Sequence, residues 1–127
     1  MSVEYIKEIA FLQEVKTAGQ IWVARSIHNN IYSVEIDATG VSLPVWSNRE
    51  RVDAYLVNAR LVGAKYEPYA ILLGEFTRRW LSDMTMAIVE LQLNPDGKTT
   101  RVLVVTAEEF KAKQASKTES DTLAFRQ

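Results

Sequence analysis

The sequence contains no cysteine. That one absence excludes disulfides, thiolate nucleophiles, iron–sulfur clusters and cysteine-ligated zinc, since each needs sulfur as the bonding or reacting atom. Histidine occurs once, as His28, so a transition-metal site would rest on carboxylates and water, which suit magnesium or calcium better than zinc. No acidic cluster stands at calcium-loop spacing, and no metal or cofactor is expected. Long apolar runs are also missing. None approaches the roughly 20 residues of a membrane-spanning helix. Glu4, Lys7 and Glu8 break the apolar pattern at the start, where a secretory signal needs an unbroken apolar core. No membrane association is expected, and the cytoplasm is the expected compartment. An excess of one charge is lacking too: 15 basic against 16 acidic residues leave a formal net charge of -1, so the whole-chain field argues against nucleic acid as a partner.

What remains is the composition of an ordinary globular domain. With 127 residues, 47% hydrophobic and 24% charged, the chain suffices for one core without a staple. Residues 1–115 read as a single α+β domain and 116–127 as a polar tail, in which Leu123 and Phe125 are the apolar exceptions.

Ser2 can cap a first helix reaching about Ala18, but its apolar phase changes midway. Tyr5, Ile6 and Ile9 share one face, whereas Phe11, Leu12, Val15 and Ala18 share another. That implies a bend near Ala10, a helix covered on two sides, or a wholly buried helix with Phe11 over a loop. From Gln20 the period becomes two, and the strands IWVARS and IYSVEID flank His28, Asn29 and Asn30, a hairpin tip whose asparagines tolerate positive φ. Tyr32, Val34 and Ile36 alternate with Ser33, Glu35 and Asp37, the pattern of a half-buried strand. The turn Asp37–Gly40 leads into VSLPVW, where Pro44 confines the strand to an edge or a strand end.

Ser47 and Glu50 form a capping-box pattern before the helical stripe Val52, Tyr55, Leu56 and Ala59, which Gly63 ends or follows. YAILL reads as a short buried strand. Gly74 opens a helix with Phe76, Trp80, Leu81 and Met84 inward and Glu75, Arg79 and Asp83 outward as a chain of ion pairs. Asn94 to Gly97 has the chemistry of a turn closed by a glycine at positive φ, joining strands over residues 86–93 and 99–105. The second, RVLVV, is apolar on both faces and is expected centrally in the sheet. Thr106 and Glu109 then cap a last helix with Phe110 inward. The order is αβββαβαββα, a mainly antiparallel sheet of about six strands with helices mostly on one face; the passage through residues 69–93 could make a parallel crossover.

Few residues suggest chemistry. His28 sits at an expected turn, where a solvated side chain explains it better than general-base work, which needs a preformed site. Glu108 and Glu109 suit a helix start. Trp46, Arg49, Tyr66, Tyr69 and Arg79 combine aromatics with arginine, a pairing enriched at binding surfaces. Phe11, Leu123 and Phe125 are interface candidates. The first expectation is a non-enzymatic interaction, regulatory or adaptor protein, binding another protein or itself. A carboxylate and arginine hydrolase or transferase using Glu67, Arg79 or Asp83 is the second, and weak binding of single-stranded nucleic acid the third.

Three segments carry a resemblance: LPVWS (Leu43 to Ser47), YEPYAILLGEFTRRWL (Tyr66 to Leu81) and NPDGKTTRVLVVTAEEF (Asn94 to Phe110). In order and spacing they resemble a bacterial family of short single-domain proteins catalogued as a domain of unknown function, number 2750. The resemblance covers most of residues 4 to 112. It implies a stand-alone bacterial cytoplasmic protein, with no activity, cofactor or catalytic residue to carry over. Where that pattern has proline after the tryptophan, this chain has Ser47, which can cap the helix itself.

Overall fold

The structure, a computed structural model, describes residues 2–114. Ser2 caps the first helix, its side chain accepting the Tyr5 N–H at 3.1 Å, and α1 runs Val3–Ala18. Gly19, at φ 70, closes it by donating its N–H to the Val15 carbonyl. Of the two apolar faces, the structure covers one: Phe11 and Val15 are buried, while Tyr5 and Ile6 stay about half exposed. The core lies under the C-terminal half of the helix, and its first two turns project beyond it.

β1 (Gln20–Ser26) does not build its sheet with the segment that follows it. The expected hairpin shrinks to one bridge between Arg25 and Ile31, with Asn29 at φ 65 as its chemistry implied. β1 instead pairs antiparallel along its whole length with β4 (Tyr66–Leu72), from Gln20 against Leu72 to Ser26 against Tyr66. A second sheet has the order β2-β3-β5-β6, with β2 (Val34–Asp37), β3 (Gly40–Val45), β5 (Ile88–Leu93) and β6 (Leu103–Thr106). Its β3–β5 pair is parallel and the other two pairs are antiparallel. The α+β class holds, but the expected single, mainly antiparallel sheet is two sheets, one antiparallel and one mixed. A parallel neighbour requires a long return connection, and the whole stretch from β3 to β5 supplies it. The crossover expected within residues 69–93 does not form, because β4 is committed to β1.

Two strands exchange their expected places. Residues 34–37 read as half-buried, yet all four are exposed, since β2 is outermost and lies beyond the core. RVLVV read as central, yet β6 is the opposite edge. Among the described residues no layer covers its apolar outer face, and Val104 is 44% exposed. Pro44 lies near the end of β3, past Ser42, the last residue that β2 reaches, so no ladder bond to β2 is lost.

α2 (Arg49–Asn58) is capped by Asn48, whose side chain accepts the Arg51 N–H at 2.9 Å, and not by Ser47, which is bonded to Asn94. α3 (Arg60–Gly63) follows directly, and a Cβ on Gly63 would stand 2.0 Å from the Leu56 carbonyl oxygen, which only glycine avoids. α4 (Leu73–Glu75) widens into a π-helical turn, Phe76–Trp80, closed by the Leu81 N–H on the Phe76 carbonyl. The expected ion-pair chain Glu75, Arg79 and Asp83 does not form among the described residues. The helix ends at Trp80, so Asp83 lies in a turn and accepts the Thr85 N–H and hydroxyl instead. Met84, expected inward, is 92% exposed for the same reason. A last helix, α5, occupies 107–114. Its capping box is as read from sequence: Glu109 N–H to Thr106 Oγ1 at 3.0 Å and Thr106 N–H to Glu109 Oε1 at 3.1 Å.

Phe11, Val15, Phe76 and Phe110 pack with Leu43, Val45, Leu91 and Val105 in the main core. The strand residues are alternate positions on one face of the four-stranded sheet, and Phe11 and Val15 of α1, Phe76 and Phe110 pack there, whereas α2 packs in a separate cluster, so the helices do not share one face as expected. A second cluster joins Ala24, Trp46, Val52 and Leu56, with Tyr32, Tyr55 and Tyr66 around it.

Candidate functional site

The residues singled out in the sequence do not form one surface. Trp46 is fully buried, and its indole Nε1 donates to the Pro95 carbonyl at 2.8 Å. Tyr66 does join it in the second cluster, packing edge-on against Tyr32 at 5.4 Å. Tyr69 is three residues along β4 and therefore on the opposite face, where the Arg25 guanidinium lies 3.8 Å from its ring centroid. Arg49 forms an exposed ion pair with Asp53 at 3.8 Å. Arg79, Glu67, Asp83 and His28 are all exposed, and none of them lines the cleft beside α1. Phe11 is buried, and Leu123 and Phe125 lie outside the described residues.

Sequence reading assigned Tyr32 and Tyr55 to strand and helix patterns and missed that they meet. Their hydroxyls are 3.1 Å apart, and Tyr55 also packs on Trp46, with centroids 5.1 Å apart. Burial first, and then the bond to Tyr32, push the Tyr55 phenol well above its ordinary value, so it stays neutral and holds the cluster together. The available signal was two hydroxyls in otherwise apolar patterns, since a buried tyrosine hydroxyl requires a partner.

What Trp46 supports is a loop. The chain over residues 94–102 is tied down by the Trp46 bond to Pro95, by Asn94 Oδ1 accepting the Ser47 N–H at 2.9 Å, and by Asn58 Nδ2 donating to the Asp96 carbonyl at 2.8 Å. Within it, Asp96 accepts the Thr99 and Lys98 N–H groups at 2.9 and 2.8 Å, which hold its carboxyl below the usual range. Gly97 takes φ 76, as the turn chemistry required.

Between this loop, the start of β6 and the N-terminal half of α1 opens a cleft of about 670 Å³. Val3, Ala10 and Phe11 give it an apolar wall, and Leu103 and Val104 bring the edge of the sheet to it. Its charges balance: Glu4, Glu14 and Asp96 against Lys7, Arg51 and Arg101. The lining includes neither histidine nor serine, and the Asp96 carboxylate is committed to its own turn.

The two edges of the four-stranded sheet differ. β2 carries Glu35 and Asp37 and a register shift between them, the devices by which edge strands resist pairing. β6 carries Leu103, Val104 and Val105, with no charge, no proline and no register shift against β5. Among the described residues, β5 is its single strand neighbour.

Among the described residues, no group of three His, Cys, Asp or Glu side chains could hold a metal ion, and no helix is long and apolar enough to cross a membrane. Residues 9–113 match a family model described as a protein of unknown function (DUF2750). No curated protein matches the sequence.

Proposed function

The chain belongs to the DUF2750 family, and from that premise we propose that it is a non-enzymatic interaction module that takes an extended polypeptide segment along the β6 edge, in the cleft beside α1. The observation that carries this reading is the apolar, undefended edge of β6 opening on that cleft. An edge strand offers a row of backbone donors and acceptors, and a peptide laid against it gains main-chain hydrogen bonds, with flanking pockets taking alternate side chains. The apolar wall from α1 and the balanced charges suit a strand of mixed composition better than a charged ligand of one sign.

The competing hydrolase reading rested on Glu67, Arg79 and Asp83, and none of them lines this cleft. The nucleic-acid reading needs accessible aromatics along a basic groove. Trp46 is buried, and the cleft is neutral.

The test is binding of a library of extended peptides to the full chain, compared with two edge variants. Val104→Lys, on β6, should abolish capture, and Val34→Lys, on β2, should leave it unchanged. Equal binding to both variants, or no binding to the wild-type chain, refutes the assignment.

A further inference from the structure

Resting on that reading, we infer that the β6 edge receives a segment of this same chain, Thr122 to Arg126, laid parallel to β6 in the cleft beside α1, where it competes with outside partners. The segment lies outside the described residues and outside the matched span 9–113. Beyond residue 114 the large apolar side chains are Leu123 and Phe125. Two residues apart, they share a face in an extended strand, whereas a helix would turn them roughly 200° from each other. Neither proline nor glycine interrupts residues 115–127, so each of them can donate to a ladder.

Setting Ala124 level with Val104 places Leu123 beside Leu103 and Phe125 beside Val105, and residues level in a parallel pair point to the same face. Leu103 and Val105 face the main core, so Leu123 and Phe125 turn toward the side where α1 packs. There Val3, 63% exposed on the cleft wall, gains cover. The same register brings Asp121 level with Arg101, which is exposed and lines the cleft. Antiparallel pairing about the same centre sets Asp121 level with Ala107 instead, so charge selects the parallel direction. The β2 edge carries Glu35 and Asp37, of the same sign as Glu119 and Asp121.

The chain is also delivered to the right place. Lys113, near the end of α5, pairs with Glu8, which stands one turn from Glu4 and next to Lys7, both on the cleft wall. Residues 115–121 remain before Thr122 and extend to at most about 25 Å. Together with α5 they make a connection over 107–121, longer than the dozen or so residues that a parallel return needs.

The experiment uses the full chain and a fluorescent synthetic peptide of residues 118–127. The wild-type chain should bind this peptide weakly, since its own segment competes at an effective concentration on the order of 1 mM. Leu123→Lys with Phe125→Lys in the chain disables that competitor and should tighten peptide binding at least about tenfold. Adding Val104→Lys should abolish the gain. The absence of natural cysteine allows disulfide trapping as a second measurement. Val104→Cys with Ala124→Cys should close within one chain, independently of protein concentration, at least about tenfold faster than Val34→Cys with Ala124→Cys. In the Val104 pair, Arg101→Asp and Asp121→Arg should each slow closure about threefold, and their combination should restore it. Equal peptide affinity with and without the Leu123 and Phe125 substitutions, equal closure at Val34 and Val104, closure only between chains, or reversals without mutual rescue would each overturn the internal strand. If extended peptides are then still captured through Val104, the interaction module stands without its own competitor; if none is captured, the edge assignment falls as well.

Discussion

The two edges of the four-stranded sheet are built on opposite principles. β2 buries none of its residues, carries two carboxylates and is irregular in register, so it contributes little to the core and resists a neighbour. β6 buries Val105 against the main core, is backed by Phe110 on the helix that follows, and meets solvent with an apolar, regular strand. An edge firmly anchored from behind and apolar in front suits the proposed pairing. One loosely attached and charged is not.

The contrast can be broken first at its anchor. Phe110→Ala removes a fully buried ring that packs edge-on against Phe76 at 5.9 Å, and should cost about 3–5 kcal/mol in denaturant unfolding. Ile36→Ala on β2, where the side chain is 48% exposed, should cost under about 1 kcal/mol. Comparable losses would show that the edges are supported alike. Next in size, Thr106→Ala deletes the cap that joins β6 to α5 and should destabilise by about 1 kcal/mol, with the loss of helix visible in the amide exchange of residues 107–110.

A smaller effect on stability, within about 0.5 kcal/mol, is expected for Glu35→Val, an exposed substitution. Its consequence should instead be association, because it strips the β2 edge of a charge; scattering that does not rise would show that Asp37 and the register shift suffice to protect that edge. The smallest effect concerns the turns beside each edge. The Thr39 hydroxyl and N–H hold Asp37 below its ordinary value of 3.8, and the Thr99 and Lys98 N–H groups do the same for Asp96. A carboxyl depressed in the folded state contributes stability above its unfolded pKa and loses it as pH falls through the folded value. Both turns should therefore tighten fully above pH 3.8 and loosen together on further acidification, as followed by amide shifts of Thr39 and Thr99. Loosening of one turn alone would mark the other as held by its surroundings instead.

Much of the candidate site could be read in part. Asn94 to Gly97 announced the loop that walls the cleft, and the Thr106 and Glu109 box announced where β6 gives way to helix. The aromatic and arginine surface was misassembled because Tyr66 and Tyr69 are three apart on a strand, and a strand sends such positions to opposite faces. Trp46 was drawn as a contact residue because aromatics beside arginines are enriched at binding surfaces, but its indole N–H finds its partner, the Pro95 carbonyl, across the fold. The ion pairs of Glu75, Arg79 and Asp83 assumed continuous α-helical spacing, which the π turn and the stop at Trp80 remove.

By itself the sequence determined what depends on neighbours within a few residues: the caps at Ser2 and Thr106, the left-handed positions at Asn29 and Gly97, the periods that separate helix from strand, and the family. Only the tertiary structure decided which strand lies beside which. Backbone pairing uses the same groups in every strand, so the partner is selected by burial of remote side chains. That choice placed the apolar RVLVV segment at the sheet's edge, where β5 is its single strand neighbour among the described residues.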